Sequence, residues 1–201
     1  MKTEIEGKWL DVDHEELRAK LKALGAKRTR PKTQMTRAVF YDVEREMPKI
    51  GARVRVRDEG DRVTMSYKRT SDASLVGTKE VELVVDNYNK AIDFLKQIGM
   101  VQKSVEETRR ESWELDGAEI ELDEWPWLPA FVEIEAADEA KLRAVAKKLG
   151  LDMAAAMHGS VDFVYEKYYD VARDEVNNWP EIKFGVVPER LAKRGRNATQ
   201  N

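Results

Sequence analysis

Short segments in which charged and apolar residues alternate constrain this chain more than any other feature. Between residues 52 and 58, Arg53, Arg55 and Arg57 alternate with alanine and valines. Successive side chains of a β-strand point to opposite faces, so this pattern predicts a strand with one charged and one apolar face. Eight strands are predicted in all, over residues 3–10, 37–42, 52–58, 62–68, 78–85, 108–115, 118–124 and 131–136.

The charges on these strands are sorted by sign. The strand at 52–58 carries only arginines on its charged face, whereas the strands at 78–85, 118–124 and 131–136 carry mainly carboxylates. A single strand of this kind is also typical of a sheet with one face in water. Like charges on one face repel each other, however, and the set as a whole therefore predicts counter-charges from neighbouring strands or from bound ions.

Helix and turn signals complete the prediction of the fold. Turn residues at 58–61 and 116–117 indicate hairpins between antiparallel strands. Amphipathic helices are predicted over 14–24, 88–98, 139–149 and 161–176, and each needs an apolar surface to cover. The fold class is therefore α+β, a closed eight-stranded antiparallel β-barrel with helices packed outside and the charged faces inside. An interior so charged must be hydrated, which predicts a tunnel for a polyanion and cations.

Composition narrows the classes of partner. Charged residues make up 36% of the 201 residues, with 35 Lys and Arg against 38 Asp and Glu, a net charge of −3. This balance disfavours a nucleic-acid partner, and no segment is apolar enough to predict a membrane span or a signal peptide. With no cysteine and two histidines, a metal would bind to oxygen ligands. We expect a cytoplasmic protein with one domain over 1–185 and a basic, disordered tail over 186–201; a homodimer remains open.

Several of these segments resemble one known family. Glu4-Ile5-Glu6-Gly7-Lys8 resembles the E-x-E-x-K signature of the CYTH family, the triphosphate tunnel metalloenzymes. The other matches follow in the order of the family and extend the resemblance over about residues 3–136. They are Arg55 and Arg57 (R-x-R), Ser66-Tyr67-Lys68 (T-Y-K), Glu80 and Glu82 (E-x-E), Arg110 with Trp113 (R-x-x-Y/W), and the acidic strands with Glu121, Asp123, Glu133 and Glu135.

The resemblance implies a metal-dependent triphosphatase acting on inorganic triphosphate, thiamine triphosphate or a nucleoside triphosphate, with Mg²⁺ or Mn²⁺ as cofactor. The implied metal-binding residues are Glu4, Glu6, Glu80, Glu82, Glu121, Asp123, Glu133 and Glu135, and the residues assigned directly to catalysis are Glu4, Glu6 and Lys8. The expected phosphate-binding residues are Lys8, Arg53, Arg55, Arg57, Lys68, Arg109 and Arg110. Many members have Lys where this chain has Thr108, and Arg109 is expected to compensate if the strand bulges.

Two alternatives to hydrolysis stay open. A class IV adenylyl cyclase would use the same phosphate site to make cyclic AMP and pyrophosphate from ATP, with a base pocket for which Trp113, Trp125 and Trp127 are candidates. Core packing is the simpler role for these tryptophans, as a structural role is for His158. The second alternative is a non-catalytic sensor of polyphosphate or nucleotide, which the retained E-x-E pairs argue against.

Overall fold

A computed structural model describes residues 2–70 and 78–194 of the chain, with the backbone alone for residues 2–4 and 78. These residues form a mixed α+β protein with one sheet. The strands are Lys2–Leu10 (β1), Lys27–Tyr41 (β2), Ala52–Asp58 (β3), Val63–Thr70 (β4), Thr78–Val85 (β5), Val101–Leu115 (β6), Ala118–Glu124 (β7), Phe131–Ala136 (β8) and Glu181–Ile182 (β9). The α-helices are His14–Ala23 (α1), Glu46–Lys49 (α2), Tyr88–Gln97 (α3), Glu139–Leu149 (α4), Val161–Tyr169 (α5), Arg173–Val176 (α6) and Glu189–Ala192 (α7), and Met153–Ala155 is a 3₁₀ turn.

The eight long strands pair in the order β2-β3-β4-β5-β1-β8-β7-β6, and every pairing between them is antiparallel. β2 also pairs with β6, so each long strand has a partner on both edges. The short β9 is added in parallel beside β6. β1 meets β5 only over residues 2–4, and further along this edge the backbone of Lys8 pairs with Met157 instead.

The apolar core lies on the face of the sheet that carries the helices. Leu21 of α1 and Leu142 of α4 are fully buried against Ile120 and Ile134 of β7 and β8. Both helices are capped, since the side chains of Asp13 and Asp138 accept hydrogen bonds from backbone N–H groups in the first turns of α1 and α4. Because the helices cover the apolar face, the charged faces of the strands turn to the other side.

The C-terminal helices α5, α6 and α7 form a second apolar cluster. Tyr165 and Tyr169 of α5 are buried in it beside Trp179, so these tyrosines pack in the core. Leu191 of α7 is also fully buried there, so residues 186–194 do not form the predicted disordered tail; the rest of that segment, 195–201, lies outside the described residues. No helix within 2–70 and 78–194 has the length and apolar character needed to cross a lipid bilayer.

Candidate active site

The charged faces of the strands line a cavity of about 940 Å³. The alternation of side chains along each strand determines which residues line the cavity, since alternate residues of β1, β3, β5, β7 and β8 share one face. Twelve of the residues predicted to bind phosphate or metal line it. They are Glu6, Lys8, Arg53, Arg55, Arg57, Lys68, Glu80, Glu82, Arg110, Glu121, Glu133 and Glu135.

Cations and carboxylates form ion pairs between neighbouring strands and between strands two apart in the sheet. The Arg55 guanidinium lies 3.4 Å from Glu80 and 3.5 Å from Glu82, and the Lys68 ammonium lies 3.2 Å from Glu80. The Arg110 guanidinium lies 2.5 Å from Asp123 and 3.4 Å from Glu133. The repulsion expected between like charges on one strand is therefore offset by opposite charges on other strands of the sheet.

Lys8 lies between two carboxylates of adjacent strands. Its ammonium donates to Glu6 at 2.7 Å and lies 3.5 Å from Glu133. The pKa of Glu6 is raised to about 7, chiefly by burial and also by the Glu133 carboxylate, against the opposing effect of Lys8. Burial alone would also raise the pKa of Glu133, but Lys8 and Arg110 hold it below its usual range. Glu133 is therefore ionised, whereas Glu6 tends to keep its proton beside it.

The donor set of this pair fits a divalent cation. Carboxylate oxygens are the ligands that Mg²⁺ and Mn²⁺ prefer, and a second positive charge would let Glu6 ionise beside Glu133. In the described part of the chain no three Asp, Glu or His side chains are grouped around one point as ligands. Several carboxylates instead point to an arginine or a lysine, with which they form ion pairs. The side chain of Glu4, a predicted ligand on β1, lies outside the described part.

Two of the predicted residues do not line the cavity. The Arg109 guanidinium lies 4.0 Å from the centre of the Phe184 ring, away from the lining. β6 pairs with β7 at Arg109 and Arg110 without a bulge, so the two side chains point to opposite faces, and the expectation that Arg109 replaces a cation at position 108 is not met. Asp123 is fully buried behind Arg110, which it contacts.

A buried carboxylate in the β3–β4 turn holds three arginines at one end of the cavity. Glu59 accepts hydrogen bonds from Arg57 at 2.7 Å, Arg30 at 2.5 Å and Arg62 at 2.9 Å. Burial alone would raise the pKa of Glu59, but the three guanidiniums lower it to about 2. In the sequence this residue belonged to a turn signal, and nothing in its spacing pointed to a role in the site.

The region around α5 and α6 supplies the other end of the cavity. Asp162 accepts hydrogen bonds from Ser160, Arg173 and Asn177, and the Arg173 guanidinium lies 3.5 Å from the centre of the Phe163 ring. The segment before α5 contacts β1, because the ring Nδ1 of His158 lies 2.9 Å from the carbonyl oxygen of Glu6. That contact is consistent with a structural role for His158.

The three tryptophans that were candidates for a base pocket do not come together in the cavity, and two of them pack in apolar clusters instead. Trp113 is buried in the core under α1 and α4, and Trp127 packs edge-on against Trp179. Of the three candidates only Trp125 lines the cavity, and the Arg37 guanidinium covers its ring at 4.5 Å.

Comparison with known proteins agrees with this geometry. The family model described as "CYTH domain" matches residues 2–161. No curated protein matches the chain.

Similar solved structures share the fold at low sequence identity. A putative adenylate cyclase from Vibrio parahaemolyticus is 16% identical, with a TM-score of 0.71, covering 82% of this chain and 98% of its own. The PH1012 protein of Pyrococcus horikoshii is 24% identical, with a TM-score of 0.63, covering 76% and 93%. A putative adenylyl cyclase from Hippeastrum, described as having a dominant triphosphatase activity, is 16% identical, with a TM-score of 0.57, covering 81% and 94%.

Proposed function

Because the chain belongs to the CYTH family, we propose that it is a divalent-metal-dependent triphosphatase that hydrolyses a triphosphate inside the charged cavity. The observation that carries the proposal is the opposition of Arg55, Lys68 and Arg110 to buried carboxylates within one cavity. Guanidinium groups suit phosphate oxygens and carboxylates suit hard divalent cations, so one cavity offers both halves of a metal–triphosphate complex.

The ion pairs of the free protein indicate how the residues act. A triphosphate would take over Arg55, Lys68 and Arg110 from their carboxylate partners, and the released carboxylates would then hold Mg²⁺ or Mn²⁺. Glu133, a partner of Arg110, is the first candidate among them, with Glu4, Glu6 and Glu135 beside it on β1 and β8. The cation, when bound, supplies charge neutralisation and polarises phosphoryl oxygens. Lys8 orients phosphate from between Glu6 and Glu133, while a carboxylate orients water for in-line attack on the terminal phosphorus.

We further propose that the sheet closes around the cavity as a tunnel. The pairing of β2 with both β3 and β6 supports closure on one side. On the other side, the short β1–β5 ladder is extended by Met157 beside Lys8.

The cyclase alternative has less support from the residues that line the cavity. Cyclisation requires the adenosine to be held so that its ribose hydroxyl reaches the α-phosphorus. Stacking on aromatic rings is a common way to hold a base, but Trp113 and Trp127 pack in apolar clusters away from the cavity. The sensor alternative leaves unexplained why so many carboxylates line a site for an anion.

Product analysis tests the proposal. The protein is incubated with tripolyphosphate, thiamine triphosphate and ATP, each with Mg²⁺, with Mn²⁺ or with EDTA. We expect metal-dependent release of orthophosphate. Cyclic AMP with pyrophosphate would identify a cyclase instead, and binding without turnover would identify a sensor.

A further inference from the structure

Arg37 is a cavity arginine that the sequence did not single out. It lies on β2 with only 9% of its surface exposed, opposite Arg57 of β3. Its guanidinium covers the ring of Trp125 at 4.5 Å, and its Nη2 donates to the hydroxyl of Thr108 at 3.0 Å. These contacts fix the plane of the guanidinium within the cavity lining.

The hydrogen bonding of this guanidinium is incomplete. Among the described residues, the buried Nε of Arg37 has no hydrogen-bond partner, and neither does the buried Nε of Arg55. A buried donor without a partner costs about 1–3 kcal/mol, and more when it is charged. Such a group is therefore expected to have a partner that binds from outside the chain.

Charges of both signs lie around Arg37, with two arginines among them. Burial is the main cause that lowers the pKa of Arg37 to about 10; Arg57 and Arg110 contribute to this shift, and the carboxylates Glu106 and Asp123 oppose it. Positive groups so placed repel each other in the free protein. An anion between them would remove both the repulsion and the unsatisfied donors.

We propose that Arg37 binds a phosphoryl oxygen of the substrate, at a subsite between Arg57 and Arg110 that is backed by Trp125. The inference rests on the proposed function and adds to it a phosphate-binding residue. Trp125 and Thr108 are positioning residues, which hold the guanidinium from its face and from its edge. Because its guanidinium contacts Thr108, Arg37 also brings a positive charge to the place where the family resemblance leads one to expect a lysine.

Calorimetric titration with tripolyphosphate tests this subsite, in EDTA and again with Mg²⁺. We expect Arg37→Met to weaken binding about tenfold or more, in line with the loss of hydrogen bonds to a charged group. Arg28→Met is the matched control, because Arg28 lies exposed on the same strand. The double variant Arg37→Met/Thr108→Lys should regain part of the affinity, since it returns a positive charge to the same place.

Thermal unfolding of the ligand-free variants distinguishes a loss of phosphate binding from a loss of folded structure. Removing an incompletely bonded cation from among other cations should leave the melting temperature unchanged or higher. The proposal would be overturned if Arg37→Met bound tripolyphosphate with unchanged affinity, whatever its melting temperature. An equal loss of affinity in Arg28→Met would also overturn it. If Arg37→Met does not fold, Arg37→Gln is judged by the same criteria. Wild-type protein that neither binds nor hydrolyses tripolyphosphate would contradict the proposed function instead.

Discussion

The Lys8 ammonium and the Glu133 carboxylate face each other across the β1–β8 ladder at 3.5 Å. Replacing Glu133 with glutamine should lower metal-dependent kcat/KM at least about 100-fold, since the change removes a proposed metal ligand and a partner of Lys8. Orthophosphate release over a range of Mg²⁺ concentrations measures the effect. Glu139→Gln, at an exposed position of α4, is the control. Turnover that survives Glu133→Gln at ordinary Mg²⁺ concentration would remove Glu133 from the proposed metal site.

Adjacent residues of β6 should differ sharply in their effect on phosphate binding. Arg110 lines the cavity and contacts Asp123, whereas Arg109 lies over Phe184. We expect Arg110→Met to weaken tripolyphosphate binding about tenfold or more and Arg109→Met to change it less than about twofold. The two variants are matched, because each changes an arginine of β6 to methionine. Equal losses in both variants would mean that the register of β6 in solution differs from the one described.

Glu59 should make stability depend on pH below about 5. Its folded-state pKa of about 2 lies below the ordinary value of 4.5, so its contribution is present above pH 4.5 and disappears as pH falls towards 2. That difference corresponds to up to about 3 kcal/mol. Glu59→Gln should lower the free energy of unfolding in urea at pH 7 by this order, and the gap to wild type should narrow by pH 3. A gap that is the same at both pH values would show that the Glu59 charge is not what stabilises the turn.

The organic part of a substrate should add little affinity. No tryptophan ring of the described residues is presented openly to the cavity, because Arg37 covers Trp125. Stacking on such a ring is worth about 1–3 kcal/mol per base where it occurs. We therefore expect ATP and thiamine triphosphate to bind within about threefold of tripolyphosphate in competition calorimetry. Tenfold tighter binding of ATP would indicate a nucleoside subsite and favour the cyclase.

The site was predictable from the sequence wherever alternation was strict. β3, β7 and β8 have the predicted bounds, and their charged faces line the cavity, since nothing in these short strands interrupts the period of two. Arg37 was missed because its neighbours on the inward face, Met35, Val39 and Tyr41, are apolar. A period-two pattern reports which residues share a face, and an isolated charge on an apolar face carries no such signal.

The longer strands were only half predicted. β2 begins at Lys27 and β6 at Val101, well before the predicted starts. Pro31 and polar residues on both faces conceal the first half of β2, where its register against β6 shifts between Arg28 and Thr33. Similarly, the predicted helix over 161–176 is two helices, because Asp170 adopts a left-handed conformation that ends α5. The register shifts of β2 against β6 depend on a pairing partner that is distant in the chain.

The pairing of β1 has a consequence for synthesis on the ribosome. β1 comes before the other strands in the chain, yet its partner strand β8 and the backbone of Met157 beside Lys8 follow only after all the other long strands. Contacts between segments so far apart form late, because the intervening chain must first be ordered. A nascent or truncated chain that stops before Met157 therefore has Lys8 and Glu6 on a strand with one open edge. The cavity around Lys8 would then be completed only after Met157 has been synthesised.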